Sequence, residues 1–464
     1  MSDSISYIST RGDPSVLSFK DVIFEGLAPD GGLYVPKYWP TIDNEKIESF
    51  SAMTYQQIAY EVISLFVDDS IGEENLKNII NTSYSSFSNK EITPIRKISD
   101  NHYLLELFHG PTYAFKDVAM QFIGNVMDFY LSRSNQSINV LGATSGDTGA
   151  AAIEGFKSVS NCKIFILHPH NKISVVQKKF MTTVDSKNVY NIAINGTFDD
   201  CQRIIKNIFN DIDFKKEQKL TAVNSINWIR IMCQIVYYFY ASSRLNENNK
   251  NIFFSVPTGN FGDILAGYIS KKMGLKIGKL NIATNDNDVL TRTLNTGKHY
   301  KKDVQATSSP SIDIQISSNF ERLLYDVTKD SKFVLDKMSE LETIGKYTLP
   351  ASIIDIIKLS FTSNSVSEEE VSNLIREYAT EYNIILDPHT AVGIASAKKC
   401  DSDFDILVSL ATAHPAKFKE TVSSIIENED FVPDKIKKMM TLEEKLSILD
   451  NDTNKVKNFL KDNI

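Results

Sequence analysis

Cysteine is scarce in this chain. Four occur among 464 residues, at Cys162, Cys201, Cys233 and Cys400, and no two form a CxxC pair. That spacing excludes a disulfide framework and a zinc ribbon, and it fits a reducing, cytoplasmic setting. No metal site is expected. Basic runs are missing too: 50 Lys and Arg stand against 58 Asp and Glu, for a net charge of −8. With no basic–aromatic stripe, nucleic acid is not an expected partner. Long apolar runs are also absent. A stretch such as 231–241 is broken by Gln234 and is too short for a membrane span. The opening MSDSISYIST has neither a basic start nor an apolar centre, so a secretory signal is not expected. There is no internal repeat, no Walker loop and no GxGxxG, so nothing specifically indicates a nucleotide.

What is present is an ordinary globular composition, 42% apolar and 23% charged, at a length that accommodates two or three domains. Residues 1–95 hold a Gly/Pro-punctuated loop, GLAPDGGLYVP (26–36), followed by expected helices across 52–82. From about residue 100, strand-like runs alternate with helical patterns: YLLELF (103–108), INVLGA (138–143), KIFILHP (163–169), VYNIAI (189–194), IFFSVP (252–257), KLNIATN (279–285) and DILVSLATA (405–413). The alternation predicts an α/β fold, with parallel sheets covered by helices on both faces. Between 318 and 384 strands are expected to stop. Ser367 and Glu370 there form a capping-box pattern ahead of Val371, Leu374, Ile375, Tyr378 and Tyr382 at helical spacing. The last stretch, 440–464, reads as one or two charged surface helices.

Three strand–turn–helix junctions stand out. In 251–274 a strand ends at Pro257 and Gly259, Asn260, Phe261, Gly262 and Asp263 lead into an amphipathic helix. Converging amides at a helix start cradle a phosphate without a lysine, although the same residues equally fit an ordinary tight turn. In 138–156, Thr144, Ser145, Gly146, Asp147, Thr148 and Gly149 repeat that geometry before a helix of small residues, which permits close approach to a strand. The turn suits a carboxylate or a phosphate, or is simply a well-capped helix start. In 407–422, Thr412 and His414 lie at the carboxyl end of a strand, where open α/β sheets bind ligands.

One lysine is out of place. In HGPTYAFKDVAMQFIGNV (109–126), Lys116 begins a helix whose Val118, Ala119, Phe122, Ile123, Val126, Met127 and Tyr130 make two adjacent apolar stripes. Desolvation and the positive helix end both lower the pKa of such an amine, which suits a nucleophile for a carbonyl cofactor. A lysine that snorkels to solvent fits the same pattern.

Together these motifs resemble the pyridoxal-phosphate enzymes of the tryptophan-synthase-β-like fold type and, within them, the longer threonine synthases. The resemblance runs through TRGD (10–13), GLAPDGGLYVP, HGPTYAFKD (109–117), GATSGDTG (142–149), NSINWIRIMCQI (224–235), VPTGNFGD (256–263), LDPHTAVG (386–393) and LATAHPAKF (410–418). It implies an N-terminal domain over 1–95 and a catalytic domain over 96–464. The latter would have two parallel-sheet, three-layer subdomains, the cofactor between them and a helical insertion at about 318–384. It implies that Lys116 carries pyridoxal phosphate and moves protons, that Gly259, Asn260, Phe261, Gly262 and Asp263 hold the cofactor phosphate, and that Thr412 bonds the pyridine nitrogen. Ser145, Gly146 and Thr148 would receive the substrate carboxylate, and Asn224, Ser225, Asn227 and Arg230 the substrate phosphate. Asp147 would lie near the cofactor's 3-oxygen, where the wider fold type has Asn; an aspartate there donates only if protonated. No catalytic role falls to His109, His389 or His414. The implied reaction turns O-phospho-L-homoserine and water into L-threonine and phosphate by γ-elimination and β-addition, the last step of threonine biosynthesis. A phospholyase or an amino-acid dehydratase is the alternative, and a monomer or homodimer without membrane or nucleic-acid partners is expected.

Overall fold

The computed structural model describes residues 5–134, 136–222, 224–245, 250–428 and 430–464. Two open sheets organise the chain from residue 95 onward. The first has six strands in the order Phe361–Ser365, Leu280–Thr284, Ile252–Pro257, Ile406–Ala411, His102–Glu106 and Ile95–Lys97. All neighbours are parallel except the last pair. The second has five parallel strands in the order Ser447–Asp450, Val189–Asn195, Cys162–Pro169, Ile138–Ala143 and Leu220–Thr221. The central strands IFFSVP and ILVSLA are buried at every residue. A sheet covered by helices on both faces requires that of its strands.

The helix that Lys116 begins, Lys116–Arg133, packs on the helix Asp147–Phe156. Glycine sets how closely. A Cβ on Gly155 would sit 2.5 Å from the Met120 carbonyl oxygen, and one on Gly124 would overlap the Gly155 carbonyl. Gly149 in turn lies against Ile166 of the neighbouring strand, as the run of small residues predicts. The helix Trp228–Leu245 is buried almost all round, between the helices Tyr55–Ile63 and Gly262–Lys272. Its first residue, Trp228, stands in a ring cluster with Tyr7, Trp39 and Phe66 at centroid distances of 6.3, 5.8 and 5.7 Å. Those rings fasten the first hundred residues to the rest, and the main hydrophobic core takes in residues of both, from Ile5 to Ile436.

Two expectations need correction. Strands do not stop over 318–384: Phe361–Ser365 pairs in parallel with Leu280–Thr284, and Lys346–Thr348 pairs with Lys298–Tyr300. The terminal stretch is not purely helical either, because Ser447–Asp450 forms an edge strand before the helix Thr453–Asn463. FTSNS and SILD are short edge segments held by backbone pairing, so they carry little of the apolar signal that marks a central strand. The capping box is present, with the Glu370 amide donating to Ser367 Oγ at 3.4 Å and the Ser367 amide donating to Glu370 Oε2 at 2.8 Å. Among the described residues no helix is long and apolar enough to cross a membrane.

Candidate active site

The three junctions and the lysine helix converge on one buried place between the two sheets. Lys116 is the first residue of its helix and only 8% exposed. The segment before it is tied to the strand end 411–413, with the Phe115 amide donating to the Thr412 carbonyl at 2.9 Å. Lys116 Nζ stands 3.4 Å from Asp147 Oδ2 and 3.4 Å from Ser311 Oγ. Burial lowers the pKa of Lys116; the Asp147 charge opposes that, and the Lys417 and Arg230 cations add to it. A buried amine poised to lose its proton is what nucleophilic chemistry on a carbonyl requires.

Asp147 is engaged from several sides. It accepts from Gln177 Nε2 at 2.9 Å and from Ser311 Oγ at 3.1 Å, and it pairs with Lys417 Nζ at 2.8 Å. Burial alone would raise its pKa, but Lys417 and then Lys116 hold it well below the usual carboxylate range. Asp147 is therefore an anion that accepts hydrogen bonds.

Both turns present unused amides. In the first, Thr144 Oγ1 accepts from the amides of Gly146 and Gly149, each at 2.9 Å. The amides of Ser145, Asp147 and Thr148 then have no acceptor among the described residues. Gly146 has φ +138°, and a Cβ there would strike the Gln177 side chain at 2.6 Å, so only glycine fits. In the second turn, carbonyls rather than amides are occupied. Ser317 Oγ donates to the Gly259 carbonyl at 2.7 Å, and Asn319 Nδ2 to the Asn260 carbonyl at 2.9 Å. Phe261 takes a left-handed conformation, φ +61°, which costs a non-glycine residue about 1 kcal/mol and points to a turn held from outside. The amides of Gly259, Asn260 and Phe261 are left without a protein acceptor among the described residues. Asp263 turns away: its Oδ1 accepts from the Tyr237 and Tyr238 hydroxyls at 2.5 and 2.9 Å. It brings its amide to the turn, not its carboxylate.

The 224–230 cluster lies beside this second turn. Asn319 Nδ2 also donates to the Ser225 carbonyl at 3.0 Å, and Ser318 Oγ lies 3.5 Å from Ser225 Oγ. Asn224 Oδ1 accepts from the Ile226 amide at 3.2 Å. Asn227 is consumed by the fold, donating to the Ile23 carbonyl at 3.2 Å and accepting from the Ile229 amide at 3.0 Å. Arg230 differs from all of these. It is 4% exposed, its Nε and Nη1 have no hydrogen-bond partner among the described residues, and burial brings its pKa down to about 10. A desolvated guanidinium without a counter-charge marks a place for an anion. The Thr412 hydroxyl ends the Ile406–Ala411 strand and makes no hydrogen bond to a described residue.

Sequence reasoning missed several contributors. Lys417 follows the same logic that singles out Lys116, a lysine within the apolar PAKF turn, but its signal is submerged in a longer motif. Gln177 and Ser311 carry no local signal, since only the fold brings them to Asp147. His389, assigned no chemistry, accepts from the Ser311 amide at its Nε2, 3.2 Å away, while its Nδ1 lies 3.0 Å from Asp387 Oδ1. It braces the loop that covers the lysine. His109 lies 2.8 Å from Glu106, and burial lowers His414 to about 4.

Known proteins are similar to this chain over nearly its whole length. Three family models match: threonine synthase N terminus over 6–84, pyridoxal-phosphate dependent enzyme over 90–410, and threonine synthase C-terminal over 390–460. A threonine synthase of Pseudomonas aeruginosa is 43% identical over 457 residues, 98% of this chain and 97% of its own. A threonine synthase of Saccharomyces cerevisiae is 43% identical over 502 aligned residues, covering 99% of this chain and 98% of its own. The crystal structure of the pyridoxal-phosphate-bound threonine synthase of Brucella melitensis superposes with a TM-score of 0.96 at 41% identity, covering 99% of both chains.

Proposed function

From the premise that the chain belongs to the threonine synthase family and is a pyridoxal-phosphate-dependent lyase, we propose that it converts O-phospho-L-homoserine and water to L-threonine and phosphate. The observation that carries this reading is Arg230, a buried guanidinium with two unpaired nitrogens near a buried, easily deprotonated lysine. A cofactor phosphate has its own cradle in the second turn, so the arginine is left for a second phosphate, the substrate's.

The residues present fit pyridoxal phosphate: a buried amine, a ring of unused amides at a helix start, and a strand-end hydroxyl. When bound, the cofactor supplies an electrophilic carbonyl carbon and a ring that spreads carbanion charge. Lys116 Nζ is the amine that holds it, and afterwards the base that takes the substrate's α-proton. The amides of Gly259, Asn260, Phe261, Gly262 and Asp263 bind the cofactor phosphate. Thr412 Oγ1 hydrogen-bonds the ring nitrogen. A hydroxyl does not enforce a proton there as a carboxylate would. Asp147, an anion, accepts from whatever proton lies on its side of the ring. Ser145, Gly146 and Thr148 receive the substrate carboxylate. Arg230, with Asn224 and Ser225, binds the substrate phosphate. Asn227 acts through the helix start on which Arg230 is mounted. The Ser311 loop over Lys116 keeps bulk water from the amine until water is needed as reactant.

The chain divides, on this proposal, into an N-terminal domain, 1–95, and a catalytic domain, 96–464. The reaction runs in the cytoplasm of the cell, in keeping with the four unpaired cysteines. One chain supplies every residue named, so a monomer suffices and a homodimer would carry two independent sites.

The test is product analysis of purified protein supplied with cofactor and O-phospho-L-homoserine. Equal amounts of phosphate and threonine are expected. Phosphate with ammonia and a keto acid, and no threonine, would replace this reading by a phospholyase. Lys116→Ala is expected to keep the fold, lose the borohydride-reducible cofactor link and lose turnover by at least about three orders of magnitude.

A further inference from the structure

Lys417 has no part in the roles above, and its side chain is fully buried, at 0% exposure. An ammonium kept wholly out of water is costly unless it is paired and hydrogen-bonded. Lys417 is both. Its Nζ lies 2.8 Å from Asp147 Oδ1 and donates to the Thr112 carbonyl at 2.8 Å. Thr112 in turn donates from its amide and hydroxyl to Asp117, at 2.8 and 2.7 Å, and Asp117 is the residue after Lys116. One lysine from the 415–418 turn thus holds both the lysine loop and the first anion turn.

One carboxylate therefore faces two amines. Lys417 meets Asp147 at 2.8 Å and Lys116 meets it at 3.4 Å, a difference of 3.4 − 2.8 = 0.6 Å. A single negative charge balances one ammonium in a dry site, not two. The shorter contact, backed by a second hydrogen bond, belongs to Lys417. We propose that Lys417 is a positioning residue that takes up the charge of Asp147 and so leaves Lys116 the amine that gives up its proton.

The surroundings support this. The charged groups that act on Lys116 are Asp147, Lys417 and Arg230, and those that act on Asp147 are Lys417, Lys116 and His389. Asp117 is occupied by Thr112 and lies under the influence of Lys417 as well. Of the three charges that act on Lys116 two are cations, and the anion, Asp147, is already claimed by Lys417. Without Lys417, Asp147 would close on Lys116 and hold it as an ammonium.

The inference rests on Lys116 being the amine that takes the cofactor aldehyde, and its test separates the two claims. Full-length wild type, Lys417→Met and Lys417→Arg are mixed with pyridoxal phosphate from about pH 6 to 10, trapped with borohydride, and the label on Lys116 is quantified by peptide mass spectrometry. Lys417→Met is expected to move the midpoint of Lys116 capture upward by about one pH unit or more, a roughly tenfold loss of capture rate at neutral pH. Lys417→Arg is expected to restore the wild-type midpoint. An unchanged midpoint in a folded Lys417→Met protein overturns the inference and leaves the assignment of Lys116 standing. No capture on Lys116 in wild type, at any pH, overturns both. Should Lys417→Met not fold, lysine 13C NMR of the wild type decides. Lys116 titrating at lower pH than Lys417 upholds the inference, and the reverse order overturns it.

Discussion

Arg230 shows how a side chain that weakens the fold earns its place in the site. Its guanidinium is desolvated and two of its nitrogens lack partners among the described residues, which disfavours the folded state without ligand. Arg230→Met should therefore raise the melting temperature of the ligand-free protein. The same change should lower kcat/KM for phosphohomoserine by about a hundredfold or more, the usual consequence of losing one partner of a buried charge pair. Calorimetry and steady-state kinetics on one preparation check both, and a variant that loses stability as well would argue that an unseen contact holds the arginine. From sequence, Arg230 was legible only through the family resemblance of the 224–235 stretch, and Lys116 as a basic residue within an apolar pattern. Lys417 offered the same cue in a shorter turn. Gln177 and Ser311 were not legible, since their partner Asp147 lies 30 and 164 positions away.

Helices, rather than single side chains, set the distance between the lysine and the first anion turn. The Gly124–Gly155 contact brings two backbones together, and a methyl on Gly155 would press on the Met120 carbonyl. Gly155→Ala is expected to cost about 3 kcal/mol and to be visible as a lowered denaturant midpoint. The Gly262–Lys272 helix carries a pH-dependent element of its own. Burial raises Asp263 to about 6, against the opposing hydrogen bonds from Tyr237 and Tyr238. The folded protein then binds this proton more tightly than the unfolded chain, so stability falls as pH rises from about 4 through 6 and stays lower above. The difference is on the order of 3 kcal/mol. Asp263→Asn should accordingly raise the melting temperature at pH 8 and gain nothing near pH 4; an equal gain at both would remove the proton linkage. The turns at these helix starts were readable because glycine placement is local. The strands Phe361–Ser365 and Ser447–Asp450 were not, because an edge strand is defined by its neighbour.

At the scale of the molecule, the two sheets meet through polar groups at their strand ends. Asp147 follows a strand of the five-stranded sheet, and Lys417 and Thr412 follow a strand of the six-stranded one. The 259–263 turn, proposed to cradle the cofactor phosphate, belongs to the first sheet, and the 145–148 turn, proposed for the substrate carboxylate, to the second. Pyridoxal phosphate should therefore stabilise the whole chain by linkage, by about 2.7 kcal/mol at a hundred times its dissociation constant. Scanning calorimetry should show one transition moving up together; a shift confined to part of a split transition would mean that the sheets unfold separately. Alternating strands and helices made the two-sheet architecture readable, whereas nothing local foretold which strand ends would face each other.

The ring cluster around Trp228 has a practical consequence. The chain has two tryptophans, and Trp39 and Trp228 are 5.8 Å apart in that one cluster. Trp228 stands two residues before Arg230 on the same helix, and Trp39 donates to Asp326 at 2.6 Å. Intrinsic emission from this protein therefore reports a single locality, the seam where the first hundred residues dock beside the arginine. A spectral change on adding phosphate or substrate would register as light from that seam without any introduced dye.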